Sequence, residues 1–479
     1  MLEGLEVAEI FKSKISFEND VFRLDSQYFK KEYLKEDSNR GKFDNKYLGQ
    51  IAFITDGQHG YHEVDENSPV RHLTAKNAKG WFANDIDADR IAKWVDDNNK
   101  RSSLKKDDLI LSTRGTVGFC AIVDSDVLPS NIDQDVARIK IEKKSILPTV
   151  ALTYLNSKVG QDWFERNQTG MVQQGIALWR VREIPLPIFS DNFQNVIDEI
   201  IKISKKHKNN SKQTYSIAET LLLETLGIND FTPNTNPVNV KSFKDSFLST
   251  GRLDAEYYQK KYEEVVARIK NQKHERLANL VKIRKSIEPG SDVYSDEGLP
   301  FLRVADFNKF GLNEPEKKLS SLFCKENKGL LEKLKPKKET ILFSKDGSVG
   351  TAYMLRADQN FITSGAILHL TVRDKEQILP EYLTLVLNSK LVQMQAERDA
   401  GGSIILHWRL DEIENVVVPV IDYSEQQKIA ELVEESFKLK KQSDQLLETA
   451  KRAVEIAIEQ DEKQAMEYIS QRSEATEKK

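Results

Sequence analysis

The chain has 479 residues, more than one hydrophobic core ordinarily organises, so about three ordinary domains or two large ones are expected at roughly 150 residues each. Apolar residues make up 39% and charged residues 30%, a balance that excludes a wholly disordered chain. No window approaches the roughly 18 apolar residues of a spanning helix, and Met1 to Glu6 has no basic-then-apolar signal region, so a cytoplasmic protein without a membrane partner is expected. With 71 basic against 75 acidic side chains, a net charge of −4, bulk charge does not coat nucleic acid, and any such binding must use local patches.

Taken in order, the chain repeats itself. Arg23-Leu24-Asp25, leading to Tyr28 and Phe29, returns as Arg252-Leu253-Asp254, leading to Tyr257 and Tyr258, 229 residues on. Ser112, Gly115, Val117 and Gly118 return 232 residues on as Ser344, Gly347, Val349 and Gly350. Leu155-Asn156-Ser157-Lys158 returns as Leu387-Asn388-Ser389-Lys390, Trp179-Arg180 as Trp408-Arg409, and Pro187 as Pro419. Matches in one order with nearly constant offsets indicate a duplicated unit, and the slips locate loops of differing length, such as 168–178 against 399–407.

Apolar runs at 109–112 and 139–141, matched by 341–344 and 366–372, predict short strands. Pro148 to Lys158 and Pro380 to Lys390 predict helices that begin at a proline. Each unit then leaves through a proline-containing strand into a long Lys/Glu/Gln-rich helix. Asp191 with Gln194, and Ser424 with Gln427, have the spacing of capping boxes. Phe193, Val196, Ile197 and Ile200 follow at helical steps in one helix, and Ile429, Leu432, Val433 and Phe437 in the other. Both helices have apolar ends and polar middles, which suits two antiparallel helices packed side by side, about 35 residues spanning roughly 50 Å. The competing arrangement has each helix capping its own domain. Gly227 suits a left-handed helix cap, and the polar end of the chain, 461–479, is expected to fray.

The fold expected is α+β: two pseudo-repeated β-rich domains, 1–189 and 238–421, a central helix 190–228, a linker 229–237, a C-terminal helix 422–460 and the polar tail. The two long helices would form an antiparallel coiled coil. Cys120 and Cys324 supply no disulfide framework and are expected to be buried.

The usual reactive constellations are missing from the sequence: no phosphate-binding loop, no dinucleotide glycine motif, no HExxH, no nucleophile elbow, and no Asn-Pro-Pro-aromatic segment of an amino-methylating enzyme. His59 and His62 lie close together without a third ligand, so a loop rather than a metal site is expected. A binding protein without catalysis or metal fits better than an enzyme. For nucleic acid the useful side chains are those that pair with phosphates or reach base edges. In the first unit these are His59, His72, Lys76, Asn77, Lys79, Arg114, Gln173 and Gln174. In the second they are Arg303, Asn308, Lys309, Lys345, Arg398, Ser403 and His407. The repeated glycines admit two readings, a turn that the fold needs or a fixed turn presenting different side chains, since Thr113 and Arg114 face Lys345 and Asp346. Trp179 and Trp408 are expected to pack in the cores.

The order of these repeated motifs, each set closed by a long helix, resembles the specificity subunit of type I restriction-modification systems. Ile54 to Gly60 and Gly298 to Asp306 are similar to the openings of that family's target recognition domains. The resemblance implies two such domains, each reading half of an asymmetric bipartite site on double-stranded DNA, with the helices setting the spacer. It also implies assembly with two modification subunits, which bind S-adenosylmethionine and methylate adenine, and with restriction subunits where a system has them. This chain would hold no cofactor. Rival readings are the recognition subunit of another phage-defence methylase or nuclease assembly, a duplicated scaffold without DNA specificity, and a cryptic nuclease.

Overall fold

The computed structural model describes residues 9–10, 26–142, 144–170, 174–236 and 238–477, the last five by backbone alone. The chain divides into two units of mixed helix and sheet, one formed by residues up to 208 together with those from 441 on, the other by 209–440. Arg23 to Asp25 and Gln173 lie outside the described residues.

In the first unit, helix α1 (Lys31–Arg40) precedes strands β1 (Asn45–Tyr47), β2 (Ala52–Asp56), β3 (Arg71–Leu73), β4 (Leu109–Ser112), β5 (Cys120–Ile122), β6 (Ser130–Ile132) and β7 (Val136–Ile141). An antiparallel sheet runs in the order β2-β7-β4-β5, and β3 pairs in parallel with β6. Strand β4 is buried along its whole length because both sheet faces are covered. Leu109 and Leu111 face the helical core while Ile110 joins a smaller cluster with Leu73, Ile132 and Val136, the period-two alternation of a strand between two apolar layers. Helices α2 (Pro148–Asn156) and α3 (Lys158–Asn167) follow, Pro148 standing in the first turn of α2, and β8 (Pro185–Pro187) returns to pair with β1.

The second unit has the same sequence of devices. Helix α5 (Lys260–Lys270) precedes β9 (His274–Arg276), β10 (Val281–Lys285), β11 (Leu299–Leu302), β12 (Ile341–Ser344), β13 (Ala352–Met354), β14 (Ile362–Thr363) and β15 (Ile367–Val372). Its antiparallel sheet runs β10-β15-β12-β13, with β11 parallel to β14. Ile341 and Phe343 face the helical core and Leu342 the smaller cluster of Leu302, Phe361 and Ile367. Helices α6 (Pro380–Asn388) and α7 (Lys390–Asp399) lead to β16 (Val417–Pro419), paired with β9.

The Leu-Asn-Ser-Lys segments join sheet to helices. Asn156 donates to the Cys120 carbonyl on β5 (2.9 Å). Asn388 makes both bonds to Ala352 on β13, donating to its carbonyl (2.8 Å) and accepting from its N–H (3.0 Å). The serine that follows turns its hydroxyl back onto the last turn, Ser157 to the Tyr154 carbonyl and Ser389 to that of Val386, which closes one helix and lets the next start at a new angle.

The long helices are α4 (Asp191–Thr225) and α8 (Tyr423–Glu459). In the first unit, Phe193, Ile197 and Ile201 of α4 share a core with Ala450, Val454 and Ala457 of α8. There the helices run antiparallel: Ser190, just before α4, meets Glu462, while Ser204 meets Ser443. In the second unit, Tyr215, Ala218 and Leu222 pack with Ile429 and Val433, and Ser211 meets Ser436.

Several expectations need correction. Neither capping box forms. Ser190, one residue earlier than expected, accepts from Phe193 N–H as the cap of α4. Gln194 instead reaches Leu147 N–H and the Phe189 carbonyl, and Gln426, not Gln427, does the same at Leu379 N–H and the Ile421 carbonyl. These buried amides dock each helix on its unit. The polar tail does not fray: α9 (Glu462–Glu477) is helical, and Ala465 and Ile469 bury in the first unit's core. The two tryptophans are not counterparts: Trp408, buried as expected, donates its backbone N–H to the Lys345 carbonyl as Ile176 does to that of Thr113, while Trp179 stands in a short helix, half exposed under the Arg180 guanidinium. Cys120 is buried and Cys324 only partly so. Gly227 has φ +64°, the left-handed cap expected.

Candidate nucleic-acid interface

In each unit the glycine turn and the loop after the paired helices lie against each other, and the expected difference in loop length is absent: equivalent bridges, Thr169 to Gly175 and Gly401 to His407, stand 232 residues apart. Ser112 at the end of β4 ties the turn from inside, its hydroxyl donating to the Thr116 carbonyl (2.6 Å) and accepting from Phe119 N–H (2.9 Å). Gln161 on α3 donates to the Gly118 carbonyl (3.0 Å) and to that of Leu155 (2.7 Å), anchoring the turn to the helix. The turn then accepts the loop: Gly115 N–H donates to the Gln174 carbonyl (3.0 Å), Ile176 N–H to that of Thr113 (2.8 Å), and Thr169 bridges Gly175.

The second unit makes the same bonds. Ser344 caps its turn on Ser348 and Thr351, and Gln393 on α7 donates to the Gly350 carbonyl (2.7 Å) and to that of Leu387 (2.9 Å). Gly347 N–H donates to the Leu406 carbonyl (2.8 Å), Trp408 N–H to that of Lys345 (2.8 Å), and Gly401 bridges His407. Gly115 and Gly347 have φ +75° and +72°, a conformation L-residues with side chains rarely adopt, so both copies need glycine there.

The side chains on these platforms differ. Arg114 is half exposed, 3.3 Å from Asp135. Asp133 nearby, which accepts from Asp135 N–H (2.7 Å), has its carboxyl pushed above the usual range by burial. On the neighbouring loop, Asp56 holds His59 (2.8 Å) and Arg101 (3.4 Å). In the second unit, Asp346 holds both Lys345 and His407, the latter at 2.9 Å, and Ser403 is exposed on the same loop. Apart from Lys345–Asp346, whose side chains are both largely covered, each of these pairs has a cation at least half exposed and is worth about 0–1 kcal/mol, so phosphate can replace the carboxylate partner at small cost, and a net negative chain still offers cations locally.

Arg114 and Gln174, and Lys345, Ser403 and His407, are therefore brought together within their units, while His59 lies just past the end of β2 beside Asp56, which also holds Arg101 from a distant turn. Other candidates do not fit the expected role. His72 is buried, its ring 3.9 Å from that of His62 and its Nε2 unpartnered, and desolvation pushes its pKa down to about 4. Asn77 is buried as a turn brace, accepting from Thr74 N–H (2.8 Å) and donating to the Ile86 carbonyl (3.0 Å). Arg398 forks onto Asp399 at 2.7 and 3.0 Å beneath Tyr257. Lys309 is turned to α4, 3.0 Å from Glu219 and against Tyr215. Arg303 binds Asp306 and Glu316, and Asn308 caps its own hairpin at Phe310 N–H. Lys76 and Lys79 are exposed on the 75–78 turn, Lys79 over the Phe119 ring.

Sequence reasoning missed Gln161 and Gln393, the amides that hold both turns, although they stand 232 residues apart, the same offset as the glycines they serve. It also missed Arg101, whose partnership with Asp56 is tertiary and leaves no local signal.

Residues 270–449 match the family model described as the type I restriction modification DNA specificity domain. The match falls mainly within the second unit, 209–440. A stretch of 109 residues is 30% identical to the type I restriction enzyme EcoBI specificity subunit of Escherichia coli, covering 22% of this chain and 23% of that relative. Among solved structures, the type I restriction-modification S subunit from M. genitalium aligns over 87% of this chain and 95% of its own, at 13% identity and a TM-score of 0.40. The HsdS subunit from Thermoanaerobacter tengcongensis aligns over 88% and 97%, at 14% identity and a TM-score of 0.28. Sequence thus supports the resemblance to type I specificity subunits. Among the described residues no helix is long and apolar enough to cross a membrane.

Proposed function

We infer that this chain is a noncatalytic DNA-specificity subunit whose two units are copies of one target recognition domain, each reading half of an asymmetric bipartite site. The observation that carries this reading is the platform found in both units: a glycine turn and a bridged loop with the same backbone bonds and different side chains. A common frame bearing different side chains suits two different half-sites. The specificity domain over 270–449 supports DNA as the ligand. Helices α4 and α8 each contribute residues to both units, which supports a role as the spacer that fixes how far apart the half-sites are read. The partners are two modification subunits, which bind S-adenosylmethionine and methylate adenine, and restriction subunits where the system has them.

The test is a single-molecule methylome of cells with and without this gene, co-expressed with its neighbouring methylase. The expected result is a gene-dependent, two-part adenine-methylation motif. An active methylase whose motif does not depend on the gene would overturn the reading and leave a protein scaffold.

A further inference from the structure

The loop carried on each glycine turn is a five-residue tip pinched at its base by one backbone bridge, Thr169 to Gly175 in the first unit and Gly401 to His407 in the second. Gly170-Met171-Val172-Gln173-Gln174 stands in one and Gly402-Ser403-Ile404-Ile405-Leu406 in the other. Only glycine suits the first place of the second tip: Gly402 has φ +136°, and a Cβ there would lie 2.1 Å from the Ile405 carbonyl. The base is closed by Gly401 N–H to the His407 carbonyl (3.0 Å), His407 N–H to that of Gly401 (2.7 Å) and Gly347 N–H to that of Leu406 (2.8 Å).

On that base three consecutive apolar side chains face solvent, Ile404 at 95%, Ile405 at 54% and Leu406 at 42% exposure. Isolated exposed apolar residues are ordinary, but a contiguous run on a braced hairpin indicates a surface made for contact. Both isoleucines are β-branched and stiff at χ1, so they lose little freedom when covered. The run continues directly into His407, with Lys345 and Asp346 beside it. A partner protein bound alike by both units would meet what the units share, whereas the tips are where their sequences differ, Met171-Val172-Gln173-Gln174 in one and Ser403-Ile404-Ile405-Leu406 in the other. The differing ligand is the half-site.

We propose that Ile404, Ile405 and Leu406 read thymine C5-methyl groups in the major groove, making the second unit specific for a half-site that contains A·T pairs. The methyl is the one apolar feature on a major-groove base edge, and aliphatic side chains recognise it by contact. This rests on the DNA-specificity reading above.

The experiment uses the chain assembled with its modification subunits and duplexes carrying its methylation motif, with thymines replaced by uracil in one half-site at a time. For the natural chain, replacement in one half should weaken binding about fourfold for each contacted methyl, the effect of one buried methyl-sized group; the other half should not respond through this tip. The triple variant Ile404→Ser, Ile405→Ser, Leu406→Ser should bind more weakly and be indifferent to uracil in that half. A half-site without A·T pairs, a natural chain indifferent to uracil, or a variant that still senses it would each overturn the proposal. So would a variant that keeps its DNA preference but sheds its subunits, which would make the tip a protein-docking surface. Absence of any selective binding by the natural complex would instead bring down the DNA-specificity reading and this proposal with it.

Discussion

Arg138 and Asp108 face each other at 2.7 Å with side chains 6% and 3% exposed. Arg138 also donates to the Arg101 carbonyl, and Asp108 accepts from Lys105 N–H, so each partner of the pair is held by a further bond. Replacing one partner strands the other: Asp108→Asn should cost about 3–5 kcal/mol, read as a lower urea midpoint for the first unit. His369 in the second unit is buried between Arg284 (3.0 Å to Nδ1) and Thr363 (2.9 Å to Nε2). Arginine can only donate, so the ring is neutral with its proton on Nε2, and burial beside that guanidinium pushes the pKa down to about 4. The unfolded histidine takes its proton near pH 6.5, so stability is complete above that and falls as pH drops from about 6.5 to 4, by about 1.4 kcal/mol per unit. Thermal unfolding across this range should show the slope, and His369→Gln should reduce it to the share that His72 contributes. Such pairings were not legible beforehand. Lys309 has the right chemistry for nucleic acid, but Glu219 and Tyr215 take it up from a distant segment; Asn77 and Arg398 are taken up by near neighbours, Thr74 and Asp399, and His72 by burial against His62, none of which composition reveals.

At the scale of elements, repetition made much of the fold readable: the buried strands, the proline-started helices and the two long helices were all expected from pattern. What stayed hidden was the use of each motif. The asparagine of Leu-Asn-Ser-Lys proves to latch helix to sheet, and the supposed capping glutamine to dock a helix on its unit. Gly57 carries a similar hidden duty. A Cβ there would lie 1.8 Å from the Ile132 carbonyl, because the backbone following β2 runs against the end of β6, where Gln58 bridges Asp133. Gly57→Ala should therefore cost about 3 kcal/mol by forcing the two backbones apart, and a melting curve would show it. Gln161→Ala and Gln393→Ala should each loosen only their own turn. If the platforms read the half-sites, each variant lowers discrimination at one half-site and leaves the other as it was, which competition binding with half-mutated duplexes distinguishes.

For the whole molecule, the two long helices decide what the chain can do, since each is shared by both units. Inserting one turn, four residues or about 6 Å, into both α4 and α8 should lengthen the unread spacer by about one or two base pairs. The altered methylation motif would show it, and an unchanged spacer would remove the ruler from the proposal. The end of the chain is equally consequential, because α9 and the last part of α8 lie in the core of the first unit, with Val454, Ala457, Ala465 and Ile469 among its buried residues. During synthesis, then, the first unit emerges early and waits: the whole second unit must leave the ribosome before the missing wall arrives. A product that terminates prematurely has an unfinished first unit whatever the state of its second, so interrupted translation yields a chain open to proteolysis instead of a half-complete one that persists.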